Sequence, residues 1–229
     1  MHLEVQAVLF DNDGTLIDST AAIMRCWERW EREQGLRRGT VDTNRVFGRT
    51  AGSIAAEVLP SERLPAAVRR YDEIEADDPA CTLLPGTRRL IGALPRHRWA
   101  VVTSAARRVA LARLARVGAS APVLVTADDV RRGKPAPDPY LRAAALLEVD
   151  PRRCVVFEDA PAGLRAAKAA GMTAIGLTTT HLPEQLADAD ALVPDLDAVD
   201  VLVLPGGAGL SLTLHAVPTA TPVPQETVS

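Results

Sequence analysis

Short, continuously apolar segments alternate with longer amphipathic ones along most of the chain. The apolar segments cover residues 7–10, 100–102, 123–125, 155–157 and 174–177. A strand that is apolar at every position is buried on both faces, which is typical of a parallel sheet covered by helices. The alternation therefore predicts an α/β fold with a doubly wound parallel sheet.

Residues that typically begin or end helices lie between these strands. Ser104 is placed to cap a helix over residues 105–117, and Asp138 followed by proline predicts the start of the next one. Pro161 is expected to begin a third helix, which stops at Gly171.

Residues 19–84 interrupt the alternation, because they contain no buried-strand pattern. Ile23, Trp27 and Trp30 share one face of an amphipathic helix, and further helices are expected at residues 50–58 and 65–75. We predict a small helical domain at 19–84, with both tryptophans in its own apolar core. It is inserted into a Rossmann-like core made of residues 1–18 and 85–215.

The C-terminal part has a third kind of pattern, with two strand-like segments around a glycine-rich one. Residues 201–204 and 210–214 have strand patterns, and the glycine-rich segment 205–209 lies between them. This spacing predicts a hairpin, for which the sequence suggests no function. Residues 216–229 are rich in Pro, Thr and Val without a period, so we expect a disordered tail.

Composition excludes several classes of protein. The 229 residues carry a formal net charge of −3 and contain no basic block, so a nucleic-acid partner is not expected. No apolar run approaches the roughly 20 residues that span a bilayer. The N-terminus lacks a signal pattern, which favours a cytoplasmic protein. Three cysteines, far apart in the chain, are expected to be free thiols.

Polar residues follow the first strand directly. Asp11 and Asp13 are separated by one residue and are followed by Gly14, which permits a sharp turn. Two such carboxylates repel each other unless a cation or a proton lies between them, and an all-oxygen pair suits Mg²⁺. An acidic turn that caps the next element would give the same pattern.

Three other strand ends also carry polar side chains. Thr103 and Ser104 offer hydroxyl groups at a helix start, either as an anion site or as a cap. Lys134, between glycine and proline, is either an aimed ammonium group or a solvated surface lysine. Glu158 and Asp159 either complete a metal site or are favourable charges at a helix N-terminus. Because the ends of parallel strands share one edge of the sheet, the combination indicates a single site.

In this order, the segment 11–15, Thr103, Lys134 and the pair Glu158-Asp159 match the four motifs of the haloacid dehalogenase superfamily. The resemblance extends from about residue 5 to residue 193. The helical insertion resembles the small cap of the phosphoglucomutase-like branch. Residues 10–19, 99–104 and 155–171 are most similar to sugar-phosphate phosphatases that act on deoxyglucose or glycerol phosphates.

The resemblance implies a mechanism for hydrolysis of a small phosphomonoester. Asp11 would be the nucleophile that forms an aspartyl-phosphate, and Asp13 would be the general acid and then the general base. The cofactor would be Mg²⁺, held by Asp11, by Asp13 through its carbonyl group, and by Asp159. Glu158 would be a further ligand or a brace for the ligands. Lys134 and Thr103 would bind the phosphoryl oxygens.

The cap is expected to set the specificity for a small sugar or polyol phosphate. Arg49 lies where similar phosphatases carry a substrate loop, so it is either a substrate contact or a surface residue. Ser104 is a second candidate for substrate binding. A monomer is expected, without a membrane or nucleic-acid partner.

Two alternatives stay open. Similar phosphomutases carry a histidine on the first cap helix, where this chain has Ile23, and none of its four histidines lies in the cap. Phospho-acceptor receiver domains, from another class, also combine Asp, Thr and Lys at strand ends. They place the acceptor aspartate at a later strand and lack a helical insertion of this size.

Overall fold

A six-stranded parallel sheet forms the centre of the molecule in the computed structural model, which describes residues 1–215 except the side chain of Asn44. In sheet order, its strands are β6 (Leu124–Val125), β5 (Trp99–Val102), β2 (Ala7–Phe10), β7 (Cys154–Glu158), β8 (Thr173–Leu177) and β9 (Ala191–Val193). The five strands predicted from apolar segments are all present. β9 is a short sixth strand that the sequence pattern did not reveal. The predicted α/β fold is confirmed.

Both faces of the sheet are buried, as the continuous apolar strands require. Along β2, Ala7 and Leu9 belong to one core cluster, and Val8 and Phe10 belong to the other. Helices α6 (Asp138–Leu146) and α7 (Pro161–Ala169) cover the face of Ala7 and Leu9. The opposite face packs against α4 (Thr87–Ala93) and a small antiparallel sheet.

This small sheet contains β1 (His2–Val5), β11 (Leu210–Leu214) and β10 (Val199–Val203), in that order. The predicted C-terminal hairpin is therefore confirmed. Leu210, Leu212 and Leu214 are buried and belong to the core cluster on that side. The hairpin thus covers one face of the central sheet. The predicted disordered tail, residues 216–229, lies outside the described residues.

The cap lies between two short strands, β3 (Ile17–Asp18) and β4 (Thr82–Leu83), which pair antiparallel to each other. It contains helices α1 (Thr20–Glu33), α2 (Ala51–Ala55) and α3 (Leu64–Asp77) together with the segments that join them. α2 is shorter than the helix expected over residues 50–58. The boundaries 19–84 stay a prediction.

An apolar cluster of its own stabilises the cap. The ring of Trp27 stacks on that of Tyr71, with centroids 3.8 Å apart. Trp30 is fully buried, and its Nε1 donates a hydrogen bond of 2.8 Å to the carbonyl of Ala67. The prediction that both tryptophans belong to the cap core is confirmed.

One predicted helix start is wrong. Helix α5 spans Arg107–Arg116, and Ser104 does not cap it. The Asp128 carboxylate instead accepts a hydrogen bond from the backbone N–H of Arg107, at 2.8 Å. The Ser104 hydroxyl donates to the carbonyl of Gly48 in the cap, at 3.0 Å. Contacts between segments that are distant in sequence therefore replace the local cap.

Two further expectations concern the chain as a whole. Among residues 1–215, no helix combines the length and the apolar character needed to cross a membrane. Cys26, Cys81 and Cys154 are free thiols, as predicted.

Candidate functional site

The sequence-predicted residues meet at the carboxyl end of β2. From β2 the chain continues to β5 and β6 on one side of the sheet, and then to β7 and β8 on the other. In an open α/β sheet, ligands bind in the crevice formed at such a reversal. Asp11 follows β2 directly and lies in this crevice with only 3% of its surface exposed.

A buried lysine connects three of the strand ends. Lys134 Nζ donates hydrogen bonds to Asp11 Oδ1 at 2.5 Å, to Glu158 Oε1 at 2.6 Å and to the carbonyl of Val102 at 3.0 Å. These acceptors lie at the ends of β2, β7 and β5. Lys134 is thus an aimed ammonium group and not a solvated surface lysine.

Glu158 is engaged through both carboxylate oxygens. Its Oε1 also accepts the hydroxyl of Tyr140 at 2.8 Å, and its Oε2 accepts the backbone N–H groups of Asp159 and Ala160 at 3.1 and 3.2 Å. A Cβ at Gly163 would lie 1.7 Å from Glu158 Oε1, so a glycine is required there. These contacts make Glu158 a brace for Lys134; its two predicted roles, a further metal ligand or a brace for the ligands, stay predictions.

Asp159 is fully buried beside Asp11. Its carboxylate accepts the hydroxyl of Thr180 and, at 3.4 Å, that of Thr15. Gly14 has a φ of 92°, and a Cβ there would lie 2.2 Å from Asp159 Oδ2. Glycine at this position therefore permits both the turn and the close approach of Asp159.

Negative charge exceeds positive charge in this cluster. Asp11, Glu158 and Asp159 each offer one oxygen within 4.8 Å of the others, and one ammonium group lies among them. Burial raises the pKa of Asp11 well above its usual range, although Lys134 lowers it. Burial and Glu158 raise the pKa of Asp159 to about 7. Excess buried charge and an all-oxygen donor set fit a hard divalent cation such as Mg²⁺.

The Asp13 carboxylate faces another group of residues. Its Oδ1 accepts the Ser19 hydroxyl at 2.6 Å and Nη1 of Arg113 at 2.9 Å. Its Oδ2 has longer contacts, 3.2 Å to the amide of Asn12 and 3.4 Å to the hydroxyl of Thr103. Asp13 is thus oriented mainly through Oδ1, and the predicted metal contact of Asp13 concerns its carbonyl group only.

Arg113 is buried between the core and the cap. Its Nη2 donates to Glu75 Oε1 of α3 at 3.0 Å, and the hydroxyl of Tyr71 donates to the same oxygen at 3.0 Å. Burial alone would lower the pKa of Arg113, but Asp13 and Glu75 raise it above its ordinary value. A charged guanidinium group therefore joins the two carboxylates.

A cavity lies between the strand ends and the cap. Asp11, Asp13 and Thr103 line it from the core side. Cap residues close the other side, among them Ile23, Trp27, Arg49, Tyr71, Asp72 and Glu75. The cap thus forms most of the wall that a bound molecule would contact.

The two predicted substrate residues have partners of their own. Arg49 lines the cavity, but its guanidinium group pairs with Glu57 at 2.5 Å within the cap. Ser104 also lines the cavity, and its hydroxyl binds the carbonyl of Gly48. Both side chains therefore stabilise the loop around residue 48 in this structure.

Sequence reasoning missed Arg113, Glu75 and Tyr140. Arg113 lies on the buried face of α5, between Val109 and Leu114, where a charged residue is unexpected. A buried tyrosine hydroxyl needs a partner. These patterns were the available signals, but they do not identify the partners.

Comparisons with known proteins agree with the motifs. The sequence model described as haloacid dehalogenase-like hydrolase matches residues 5–171. Validoxylamine A 7′-phosphate phosphatase of Streptomyces hygroscopicus subsp. limoneus is 41% identical over 85% of this chain and 95% of its own length. Hexitol phosphatase A of Escherichia coli (strain K12) is 37% identical over 90% of this chain and 98% of its own.

Among solved structures, CbbY from Rhodobacter sphaeroides in complex with phosphate superposes with a TM-score of 0.68. It is 27% identical in sequence, and the match covers 84% of this chain and 95% of that one. The likeness extends over most of both chains.

Proposed function

The chain belongs to the haloacid dehalogenase-like hydrolase family, and from that premise we propose that it hydrolyses a small sugar or polyol phosphate, with Mg²⁺, through an aspartyl-phosphate on Asp11. One observation supports the proposal most: the buried Lys134 ammonium group lies 2.5 Å from Asp11, in a crevice that also contains Asp13 and Asp159. This arrangement provides a nucleophile, a proton carrier and positive charge at one point.

The enzyme class follows from the relatives. The two curated relatives described above, 41% and 37% identical over most of this chain, are both named phosphatases. The prediction of a phosphatase from the sequence motifs is therefore confirmed.

In the first step, a carboxylate oxygen of Asp11 attacks the phosphorus atom in line with the leaving oxygen. The bond between phosphorus and the leaving oxygen breaks, and its electron pair stays on that oxygen. Asp13 donates the proton that turns the leaving oxygen into a hydroxyl group. The alcohol departs, and the phosphoryl group remains on Asp11.

In the second step, a water molecule attacks the same phosphorus atom. Asp13, now deprotonated, accepts a proton from this water. The bond between phosphorus and Asp11 breaks, and its electron pair returns to the Asp11 carboxylate. The products are inorganic phosphate and an enzyme with its proton restored to Asp13. Oδ2 is the better-placed oxygen for this exchange, because its protein contacts are the longer ones.

The proposed Mg²⁺ site uses Asp11, Asp159 and the carbonyl group of Asp13. When bound, Mg²⁺ supplies positive charge that offsets the negative charge of the phosphoryl oxygens. The buried carboxylates beside Lys134 carry the excess negative charge that such a cation needs. Glu158 orients Lys134 through its Oε1, and the backbone N–H groups at Oε2 keep this carboxylate in place.

Positive charge from Lys134 also stabilises the phosphoryl oxygens in the transition state, where their charge is greatest. Thr103 is proposed to donate its hydroxyl group to one of them. Its Oγ1 already accepts the backbone N–H of Ala105 at 3.1 Å, which fixes its direction.

The proposed substrate class rests on the cap wall and on the relatives. Arg49, Asp72 and Ser104 place polar groups at a cavity that also contains Trp27 and Tyr71. Such a mixture suits a leaving group with several hydroxyl groups. The relatives named above act on a hexitol phosphate and on validoxylamine A 7′-phosphate, as their names state.

Hydrolysis is favoured over phosphomutase chemistry by the first cap helix. Ile23 lines the cavity at the position where similar mutases carry a histidine, and its side chain cannot exchange a proton. A monomer that works in the cytoplasm completes the proposal.

Phosphate release from a panel of phosphomonoesters, with and without Mg²⁺, tests the proposal. The panel contains deoxyglucose 6-phosphate, glycerol phosphate, a hexitol phosphate and β-glucose 1-phosphate, and the Asp11→Asn variant runs beside the wild type. We expect Mg²⁺-dependent release that vanishes in the variant. Conversion of β-glucose 1-phosphate to the 6-phosphate without net release would show a mutase. Full activity in the variant would refute Asp11 as the nucleophile.

A further inference from the structure

Arg113 is a charged residue on the buried face of helix α5. It lies on α5 among the buried residues Val109, Ala110 and Leu114, and only 1% of its surface is exposed. Burying a guanidinium group costs free energy unless carboxylates compensate its charge. Both of its carboxylate partners line the cavity, and they come from different parts of the molecule.

The contact with Asp13 fixes one oxygen of the carboxylate. Arg113 Nη1 and the Ser19 hydroxyl both donate to Asp13 Oδ1, at 2.9 and 2.6 Å. Oδ1 is thus held by two short hydrogen bonds from different segments, and its bonds limit where Oδ2 can lie, because Oδ2 itself has only the longer contacts to Asn12 and Thr103. An error of 1 Å in such a position can reduce a rate by about 10²-fold.

The contact with Glu75 fixes Arg113 itself. Glu75 Oε1 accepts both Arg113 Nη2 and the Tyr71 hydroxyl, and the ring of Tyr71 stacks on Trp27 in the cap core. Arg113 Nε is buried without a hydrogen-bond partner among the described residues. Its orientation therefore depends on the two terminal nitrogens, one bound to the core and one to the cap.

We propose that Arg113 is a positioning residue for Asp13 and that Glu75 anchors it, so that the core and the cap jointly orient the carboxylate that transfers the proton. The inference rests on the proposed function, because it assumes that Asp13 is the acid and base. It adds two residues that the four sequence motifs do not contain.

Leaving groups of different basicity separate this role from simple packing. An alkoxide leaving from deoxyglucose 6-phosphate needs a proton from Asp13, whereas nitrophenolate leaving from p-nitrophenyl phosphate does not. Rapid-quench experiments with Mg²⁺ would measure the rate at which Asp11 is phosphorylated by each ester. The variants are Arg113→Lys, Glu75→Gln and Asp13→Asn. Arg113→Lys keeps the positive charge but loses the planar guanidinium group, whose two terminal nitrogens bind two carboxylates at once. Arg116→Lys, on an exposed position of the same helix, is the matched control.

With deoxyglucose 6-phosphate, we expect Arg113→Lys to slow phosphorylation by about tenfold or more, part of the ~10²–10⁴-fold effect of a general acid. With p-nitrophenyl phosphate, the same step should change less than about threefold, and KM should stay within about threefold for both esters. Glu75→Gln should shift the ratio of the two rates in the same direction by a smaller factor. Arg116→Lys should behave as the wild type does.

Equal losses with both esters, or a rise in KM alone, would overturn the inference. So would an Arg113→Lys effect that persists undiminished in the Asp13→Asn background. Circular dichroism would establish that each variant is folded; if Arg113→Lys is not, the rate ratio of Glu75→Leu, which removes both hydrogen bonds at Oε1, decides. A wild type that forms no phosphoenzyme with either ester would refute the proposed function itself, which distinguishes the two failures.

Discussion

The two aspartates at the end of β2 are each held by a buried cation, but the two cations are anchored differently. Lys134 contacts Asp11, Glu158 and the carbonyl of Val102, all of which belong to strand ends of the core. Arg113 contacts Asp13 of the core and Glu75 of the cap. Each cation has a side chain that is 1% exposed.

This difference separates the proposed nucleophile from the proposed proton carrier. The hydrogen-bond partners of Lys134 beside Asp11 all belong to the core, so no cap residue takes part in these contacts. The surroundings of Asp13 include a residue of α3, so they are complete only with the cap against the core. Four predictions test this comparison.

The largest effect on the rate is expected from Lys134→Met. Loss of the ammonium group removes a charged donor from the phosphoryl oxygens, so kcat should fall by about 10²–10³-fold. Lys168→Met is the matched control, because Lys168 pairs with Asp190 on the surface. Steady-state phosphate release with saturating Mg²⁺ would measure both. A loss below about tenfold would show that Lys134 serves the fold more than the reaction.

Arg113→Met should destabilise the protein by about 3–5 kcal/mol, since it leaves the buried carboxylate of Glu75 and the partly buried carboxylate of Asp13 without their cation. Urea unfolding at pH 7 would measure the change. Arg25→Met is the control, because the pair of Arg25 with Asp78 is exposed and should contribute at most about 1 kcal/mol. Adding Glu75→Leu to Arg113→Met should recover part of the loss. If it recovers nothing, the contact between the cap and the core at Arg113 does not stabilise the fold.

Glu158→Gln and Glu75→Gln should lower the free energy of unfolding by different amounts. The Glu158 oxygens accept hydrogen bonds from Lys134, Tyr140 and two backbone N–H groups, so an amide NH₂ would face a donor on either side. Glu75 accepts both of its bonds through Oε1, which a glutamine can retain. We expect unfolding free energies lower by about 2–3 kcal/mol for Glu158→Gln and by about 1 kcal/mol for Glu75→Gln. Equal losses of unfolding free energy would contradict the difference in hydrogen bonding between the two glutamates.

The smallest effect concerns Asp72 in the cap wall, whose pKa is raised to about 6 by burial and by Glu75. A carboxyl group with a raised folded-state pKa costs stability once it ionises. The penalty is absent below about pH 4, grows between the unfolded and folded pKa values, and is complete above pH 6. Asp72→Asn should therefore raise the free energy of unfolding at pH 7.5 by about 1 kcal/mol. This value allows for solvent screening of the exposed part of the side chain.

Urea unfolding of the wild type and Asp72→Asn between pH 4 and pH 8 would measure this difference. Asp77→Asn, at an exposed position on the same helix, is the control. A stabilisation that is independent of pH would mean that ionisation of Asp72 is not its cause.

Much of the fold and part of the site followed from the sequence for one reason. Continuous apolar strands identify a buried parallel sheet, and the ends of its strands must share an edge. The sequence alone therefore predicts that Asp11, Lys134 and Asp159 lie at one place. The residues that the sequence did not reveal are those whose partners come from another layer.

Arg113 and Glu75 illustrate this limit. Each lies on the buried face of its own helix, but nothing in either helix indicates which helix it will meet. Ser104 illustrates the converse, because its sequence position suits the start of a helix. In the structure Asp128 binds the first N–H group of that helix instead, and Ser104 binds the carbonyl of Gly48 in the cap domain. Neither contact follows from the local sequence. β9 was not predicted, although its three residues are as apolar as segment 123–125, which was; apolar character alone does not identify a strand this short.

Direct detection of the phosphoryl group on Asp11 tests the central claim most directly. Wild type and Asp13→Asn would be mixed with p-nitrophenyl phosphate and Mg²⁺, quenched in acid within milliseconds, digested and analysed by mass spectrometry. We expect the added phosphate in the peptide that contains Asp11, with more of it in Asp13→Asn, because the base for the second step is missing. Nitrophenol release without any phosphorylated Asp11, or phosphate on another residue, would contradict the account.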